Sequence, residues 1–263
     1  MNFFTLSDKG MVRPNNEDYA ESVQMGWCGP FGNLEAFTGL LLADGMGGAA
    51  AGEFASLLAV KTIKMRLVDG IFKRPPEELL NTDLQDFLSS CCKEANIEIY
   101  KKSRENLDME GMGTTIVAAL IFREMLTLCH VGDSRCYLFR EGKLRQLSHD
   151  HSLVQELIDQ GKITQEQAQR HPNKNVITRA LGVTSTVEPD CVRIPIFSGD
   201  VLLLCSDGLT GFAEESSILK IMRDQADQRI VDLKRLAETL IQLANFGGGG
   251  DNVSVVVYRH WAG

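Results

Sequence analysis

Apolar residues recur along this chain at two different periods, and the switches between them lay out its elements. Residues 49–67 and about 76–107 carry apolar side chains at helical spacing. In the second stretch these are Leu80, Leu84, Phe87, Leu88, Cys91 and Ala95, three or four apart as one face of a helix requires. From 113 to 147 the period shortens. Stretches 114–122, 125–131 and 135–139 predict strands, and Glu141-Gly142-Lys143 predicts a hairpin turn into the next one. Further strands are expected at 187–196 and 201–205, helices at about 216–223 and 230–244, and a last strand at 253–259. Between 152 and 182 the strand pattern breaks. Residues 153–158 and 164–169 read as two short helices, followed by the irregular His171-Pro172-Asn173-Lys174-Asn175; an insertion of this kind is expected to be mobile. Strands and helices that do not strictly alternate predict an α+β protein. Two antiparallel sheets with helices outside fit better than a doubly wound parallel sheet.

Composition narrows the class. Hydrophobic residues make up 44% and charged residues 24% of the 263 positions, enough for a sizeable core and unlike a disordered chain. That length fits a single domain over 1–263. The net charge of −8 argues against nucleic acid as a partner, because a phosphate backbone selects basic surfaces. Seven cysteines are scattered without CxxC spacing. They read as small buried hydrophobes in a reducing compartment, in preference to zinc ligands or disulfides. The opening Met1-Asn2-Phe3-Phe4-Thr5-Leu6 lacks the basic start and length of a secretory signal. No apolar run approaches the ~18 residues of a membrane span, so a soluble, cytoplasmic, membrane-free protein is expected.

The candidate chemistry sits where apolar runs meet aspartate and glycine. Phe37-Thr38-Gly39-Leu40-Leu41-Leu42-Ala43 leads into Asp44-Gly45-Met46-Gly47-Gly48, Val201 to Ser206 leads into Asp207-Gly208, and Gly247 to Gly250 leads into Asp251-Asn252. An isolated Asp-Gly is ordinarily a turn. A carboxylate beside a strongly apolar run is nevertheless hard to keep ionised without a compensating cation. Three of them suit Mg²⁺ or Mn²⁺, which take carboxylate, carbonyl and water oxygens, and glycine lets a carbonyl approach. The Gly247 to Gly250 run reads as a passive turn or as backbone shaped for a metal, and its place before Asp251 favours the second.

The N-terminal segment Ser7-Asp8-Lys9-Gly10-Met11-Val12-Arg13-Pro14-Asn15-Asn16-Glu17-Asp18 adds a fixed cation and an acidic pair. Arg13 is either a solvated loop charge or a two-pronged grip on a phosphate. Val131-Gly132-Asp133-Ser134-Arg135, between two predicted strands, reads on its own as a tight hairpin turn.

In order along the chain, these segments resemble the metal-dependent type 2C serine/threonine protein phosphatases in their bacterial form. Further matching stretches are Gly111-Met112-Gly113-Thr114-Thr115, Ser148-His149-Asp150-His151-Ser152-Leu153-Val154 and Ile177-Thr178-Arg179-Ala180-Leu181-Gly182. Each is weak alone, and together they run from one end of the chain to the other. The resemblance implies a four-layer α-β-β-α sandwich with metals at one end of the sheets, and a flap subdomain at about 152–186 beside the active site. It implies hydrolysis of phosphoserine and phosphothreonine in proteins, signal transduction opposite a serine/threonine kinase, and a monomer.

On this reading two divalent ions, Mn²⁺ or Mg²⁺, share a water, lower its pKa and aim it at phosphorus. Asp44 would bridge them, with the Gly45 carbonyl on one ion and Asp207 and Asp251 completing the other. Glu17 and Asp18 would act directly or through water, and Arg13 would hold the phosphoryl oxygens. By resemblance, Asp133 with Asp207 would bind a third, weaker metal. Family members often carry a histidine, proposed as general acid, at the positions of Met46 or Ala49. Its role passes here to a metal-bound water or to His151, with the water preferred. Two other readings fit the residues: a non-catalytic phosphoprotein binder, whose mark would be a lost metal aspartate, and another two-metal hydrolase of small esters or nucleic acid.

Overall fold

The protein is described here by a computed structural model covering residues 2–28, 34–74, 78, 82–105, 107–226 and 231–261. Strands β1 (Phe3–Asp8), β2 (Asp18–Cys28) and β3 (Leu34–Met46) precede helix α1 (Ala49–Leu67). Helix α2 (Leu84–Glu105) follows. Then come β4 (Gly113–Thr114), β5 (Ile116–Phe122), β6 (Met125–Val131), β7 (Arg135–Arg140) and β8 (Lys143–Gln146). The short α3 (Leu153–Asp159) and α4 (Gln165–Gln169) lead to β9 (Asp190–Pro195), β10 (Val201–Cys205) and α5 (Asp207–Thr210). Helices α6 (Glu215–Ala226) and α7 (Leu233–Phe246) and strand β11 (Val253–Arg259) complete the order.

One sheet runs β1-β11-β10-β7-β8 and the other β2-β3-β5-β6-β9, with β4 joined to the end of β3. Every pairing is antiparallel. The central strands show why they read as unbroken apolar runs. In β5, Ile116, Ala118, Leu120 and Phe122 face α1 and α2, while Val117, Ala119 and Ile121 face the other sheet. In β10, Val201, Leu203 and Cys205 face α6 and α7, and Leu202 and Leu204 face the sheet-to-sheet layer. Both faces of these strands are covered, so alternation disappears. The helices supply the outer faces at helical spacing, such as Ala55, Ala59, Ile63 and Leu67 of α1, and Leu233, Leu236, Ala237, Leu240 and Ala244 of α7. The result is the expected four-layer α-β-β-α sandwich.

The two helices of the 152–182 insertion are built differently. Of their residues only Ala168 is fully buried and Leu153, Val154, Leu157 and Ile158 are half-buried, so packing holds them only in part. Capping adds to it: the Ser152 hydroxyl accepts from Gln155 N, and Thr164 and Gln167 form a capping box.

Four expectations need correction. The helix predicted over about 76–107 starts at Leu84, where the Asp83 carboxylate accepts from Gln85 N and Asp86 N and caps it; its predicted start, with Leu80, lies outside the described residues. The strand expected at 187–196 is shorter, Asp190–Pro195. The turn at Gly132-Asp133 is not a hairpin, because β6 and β7 belong to different sheets and the turn carries the chain across the sandwich. Lastly, Cys129 and Cys191 form a disulfide. They face each other directly across β6 and β9, where side chains on one face lie closest, a pairing that scattered cysteines do not announce. The buried Cys91, Cys92, Cys136 and Cys205 stay free, as expected. Among the described residues no helix is long and apolar enough to cross a membrane.

Candidate metal centre

The central carboxylates are placed by backbone. Strand β3 does not stop at Asp44, because Gly45 and Met46 still pair with Thr114 and Gly113 of β4. Asp44 faces Asp18 directly across the β2–β3 ladder. Its carbonyl accepts from Thr115 N at 2.9 Å and from the Thr114 hydroxyl at 2.8 Å. Its N–H donates to Thr115 Oγ1 at 3.0 Å. A side chain at Gly45 would stand 2.1 Å from the Gly52 carbonyl oxygen, so close backbone approach is what glycine provides here. Asp207 opens α5 directly after β10. The neighbouring Ser206 hydroxyl donates to Asp18 Oδ2 at 2.8 Å and accepts from Ser254 N at 3.0 Å.

Asp251 stands at the entry to β11, and its neighbour Asn252 pins the N-terminal loop over the site. The Asn252 amide donates to the carbonyls of Lys9 and Asn15 and accepts from Glu17 N. Gly10, at φ 77°, lets the loop pass so close that an added Cβ would lie 2.2 Å from the Asp251 carbonyl oxygen. Arg13 is thereby brought onto Asp251: Nε lies 2.8 Å from Oδ1 and NH2 donates to Oδ2 at 2.8 Å.

Arg13, Glu17, Asp44, Gly45, Asp133, Asp207 and Asp251 all line one cavity of about 200 Å³, and Asp18 lies buried against it. A second cavity of about 350 Å³ shares Asp133, Asn175 and Asp207 with the first. Its walls are α3, α4 and the segment around Phe212. His151 lies outside this cluster. It is buried behind the Gly132–Asp133 turn, where its Nδ1 accepts from Gly132 N, so it is not a proton donor to a leaving group. Met46 lines the cavity and has no proton to give.

Carboxylates outnumber the positive charge that Arg13 brings to Asp251. Burial, reinforced by Asp207 and Asp251, pushes Asp18 up to about 7 against the hydrogen bonds it accepts. Burial, then Asp207 and Asp150, pushes Asp133 up to about 8. Asp44 is held well above the carboxylate range by burial and by Asp18, Asp207 and Asp133. Burial first, then Asp251, also raises Asp207, and burial raises Glu17. Asp18 Oδ1 is buried without any hydrogen-bond partner. Crowded oxygens that repel one another, one of them orphaned, fit divalent cations, whose charge reverses each of these shifts. Thiols do not compete as nucleophiles: burial lifts Cys91 and Cys205 to about 12.

Thr115, Ser206 and Asn252 carry roles that the sequence reading did not assign. Thr115 and Asn252 lie in motifs that are visible locally, whereas nothing near Ser206 announces its contact with Asp18, 188 positions away.

A two-sheet sandwich with an aspartate cluster at the sheet ends defines a class of metal-dependent hydrolases, and the comparisons narrow it. A model of the Protein phosphatase 2C family matches residues 28–243. The chain belongs to the protein phosphatase 2C family of serine/threonine phosphatases. It is 39% identical over 251 residues to the serine/threonine phosphatase stp of Listeria monocytogenes serotype 4b (strain F2365), covering 95% of this chain and 92% of that one. It is also 39% identical over 257 residues to the serine/threonine protein phosphatase PstP of Mycobacterium tuberculosis (strain CDC 1551 / Oshkosh), covering 98% of this chain and 44% of PstP. A crystal structure of M. tuberculosis PstP/Ppp superposes with a TM-score of 0.82 at 37% identity, over 99% of this chain and 98% of that one. The catalytic domain of PstP in complex with two manganese ions superposes at 0.79 with 38% identity, over 98% and 96% of the two chains.

Proposed function

We propose that this protein removes phosphate from phosphoserine and phosphothreonine in proteins, with divalent cations held by its aspartate cluster. The observation that carries this is the convergence of Asp44, Asp133, Asp207 and Asp251 on one cavity beside Arg13, with a buried oxygen of Asp18, the cross-strand partner of Asp44, left unpartnered. Asp44, the Gly45 carbonyl, Asp207 and Asp251 would hold a two-ion core site of Mn²⁺ or Mg²⁺. Asp18 and Glu17 support it directly or through water, and Asp133 with Asp207 forms a weaker third site. When bound, such ions lower the pKa of water and offset charge on the phosphoryl group.

The chain's own residues do the rest. Arg13 already presents its guanidinium fork to two carboxylate oxygens, the same spacing that two phosphoryl oxygens offer. With cations at Asp251, this fork would be available to hold and orient the phosphoryl group. Asn252 holds the loop that carries Arg13. No histidine of the described residues lines the cavity, so the leaving alkoxide takes its proton from water. The larger cavity beside Asp133 favours a polypeptide over a small ester, since it extends the site by room for residues next to the phosphorylated one. We assign residues 1–263 to one catalytic unit with a flap at about 152–186, acting as a monomer in the cytoplasm against a serine/threonine kinase in signalling.

The test is hydrolysis of a phosphothreonine peptide with added Mn²⁺, against phosphotyrosine peptide and DNA controls. Metal-dependent release from the phosphothreonine peptide alone is expected. Full activity in exhaustively chelated protein, or a preference for DNA, overturns the reading.

A further inference from the structure

His130, His151 and Asp190 bring ligand-type atoms within 4.8 Å of one another. The cation among them is a guanidinium: Arg179 NH1 lies 2.9 Å from His151 Nε2 and donates to Asp190 Oδ1 at 2.6 Å. Another donor closes the opposite end of the His151 ring, where Gly132 N–H reaches Nδ1 at 3.0 Å. A backbone N–H can only donate, so Nδ1 accepts; the two hydrogens of Arg179 NH1 go to Glu188 O at 2.9 Å and Asp190 Oδ1 at 2.6 Å, which leaves Nε2 to carry the proton of the neutral ring. That proton points to Asp190 Oδ2, 3.2 Å away. The ring stacks on His130 at 4.9 Å and 9°, and His130 Nε2 is itself held between the N–H and carbonyl of His149.

The backbone of His151 makes the same connection a second time. Its N–H donates to Gly132 O at 2.9 Å, and its carbonyl accepts from Thr178 N at 2.8 Å. Gly132 is thus gripped on both its N–H and its C=O by one residue, next to the carboxylate of Asp133. Thr178 closes the 152–182 insertion, whose first turn is fastened to its end by the Ser152–Ile177 bridge and by Leu153 N to Val176 O. His151 therefore joins the Asp133 turn, the base of the flap and, through Asp190, edge strand β9.

We propose that His151 is the positioning residue for Asp133: its ring and backbone hold the Gly132–Asp133 turn while its carbonyl holds the flap base, so that the accessory cation site and the flap are set together. This rests on Asp133 being a ligand of that accessory cation. It gives His151 no contact with substrate.

Two substitutions separate the ends of the ring. His151→Asn places an amide oxygen where Nδ1 accepts from Gly132 and loses Asp190. His151→Gln places its amide near Nε2, keeps Asp190 and loses the Gly132 acceptor. Mn²⁺ calorimetry with His151→Gln is expected to show the weakest site loosened about 5- to 10-fold, the loss of one buried hydrogen bond, with the tight sites unchanged. The kcat on phosphothreonine peptide should fall in step with unchanged KM, and His151→Asn should stay within about 2-fold of wild type. Equal effects of the two variants, or loss of the tight sites in both, overturn the proposal. Asp133→Ala run alongside distinguishes the failures. If it leaves the weakest site intact, Asp133 is no ligand and both ideas fall; if it removes the site while His151→Gln does not, only the role of His151 falls. Should either variant not fold, imidazole ¹⁵N shifts of the wild-type protein still decide. A bare Nδ1 and a protonated Nε2 are expected, and the opposite tautomer overturns the proposal.

Discussion

Asp44 and Asp133 reach one cavity from two differently built regions. Asp44 lies inside a strand that pairs with β2 on one side and with β4 and β5 on the other, and its backbone makes further bonds to Thr114 and Thr115. Asp133 lies in a crossing between the sheets, and apart from the backbone bond from His151 N to Gly132 O its turn is held by side chains. His151 grips Gly132, the Ser134 hydroxyl meets Thr115 Oγ1 at 2.7 Å, and Arg135 forks onto Asp150 at 2.7–3.0 Å. A ladder spreads its constraint over many backbone bonds and tolerates most single substitutions. A side-chain brace fails when one member is removed, and a buried ion pair broken on one side costs about 3–5 kcal/mol. The rigid region suits the proposed core pair of ions, and the adjustable one suits the proposed weaker ion beside an insertion whose helices are mostly half-buried or exposed.

The sharpest way to break this contrast is to remove charge from the rigid side. Asp44→Asn or Asp207→Asn is expected to lower Mn²⁺-dependent kcat/KM on a phosphothreonine peptide by at least about 100-fold, with the fold intact by circular dichroism. Activity within a few-fold of wild type would place the chemistry elsewhere.

On the adjustable side the effect should be smaller. With Asp133→Ala, turnover of phosphopeptide falls, the weakest Mn²⁺ event vanishes from calorimetry, and the tight events persist. If the tight events vanish too, Asp133 belongs to the rigid core and the contrast collapses.

Arg13 lies between the two cases. Two charge-assisted bonds of ~1.5–3 kcal/mol each are at stake, discounted because the side chain is 48% exposed. A rise in KM of about 10-fold is expected for Arg13→Ala. The fork onto Asp251 adds a consequence: without it, Mn²⁺ no longer displaces a guanidinium, and the ion at Asp251 binds more tightly. Unchanged KM together with unchanged Mn²⁺ affinity returns Arg13 to a solvated loop charge.

The smallest effect concerns stability. Asp18 at about 7 and Asp133 at about 8 hold protons more tightly folded than unfolded, where the value is about 4. Their stabilisation is complete below about pH 4 and disappears as pH rises through those folded values. In chelator the melting temperature should therefore fall from about pH 4 to 8, and Mn²⁺ should remove that slope. A flat profile in chelator means the carboxylates do not repel as their burial implies.

Much of this was legible in the order of residues. Strands β10 and β11 fall where the apolar runs placed them, and α1 begins at Ala49 just past Gly47 and Gly48, which take φ of 115° and 91°. Asp44, Asp207 and Asp251 were marked by apolar neighbours and glycine because a strand's period and a turn's backbone are local properties. The segments that pointed to the phosphatase family were likewise short and continuous.

Tertiary structure alone decided the rest. The strands flanking Gly132-Asp133 look the same whether they pair or part, and only the competing partners β9 and β10 send them to different sheets. Cys129 meets Cys191 across a separation of 62 residues, and Arg13 meets Asp251 across 238. His151 was read as a possible acid from its neighbourhood, and the Gly132 N–H aimed at its ring makes it a brace instead. Local sequence sets which backbone shapes and buried faces are favourable; which side chains then share a hydrogen bond depends on how whole sheets pack, and no short stretch of chain holds that information.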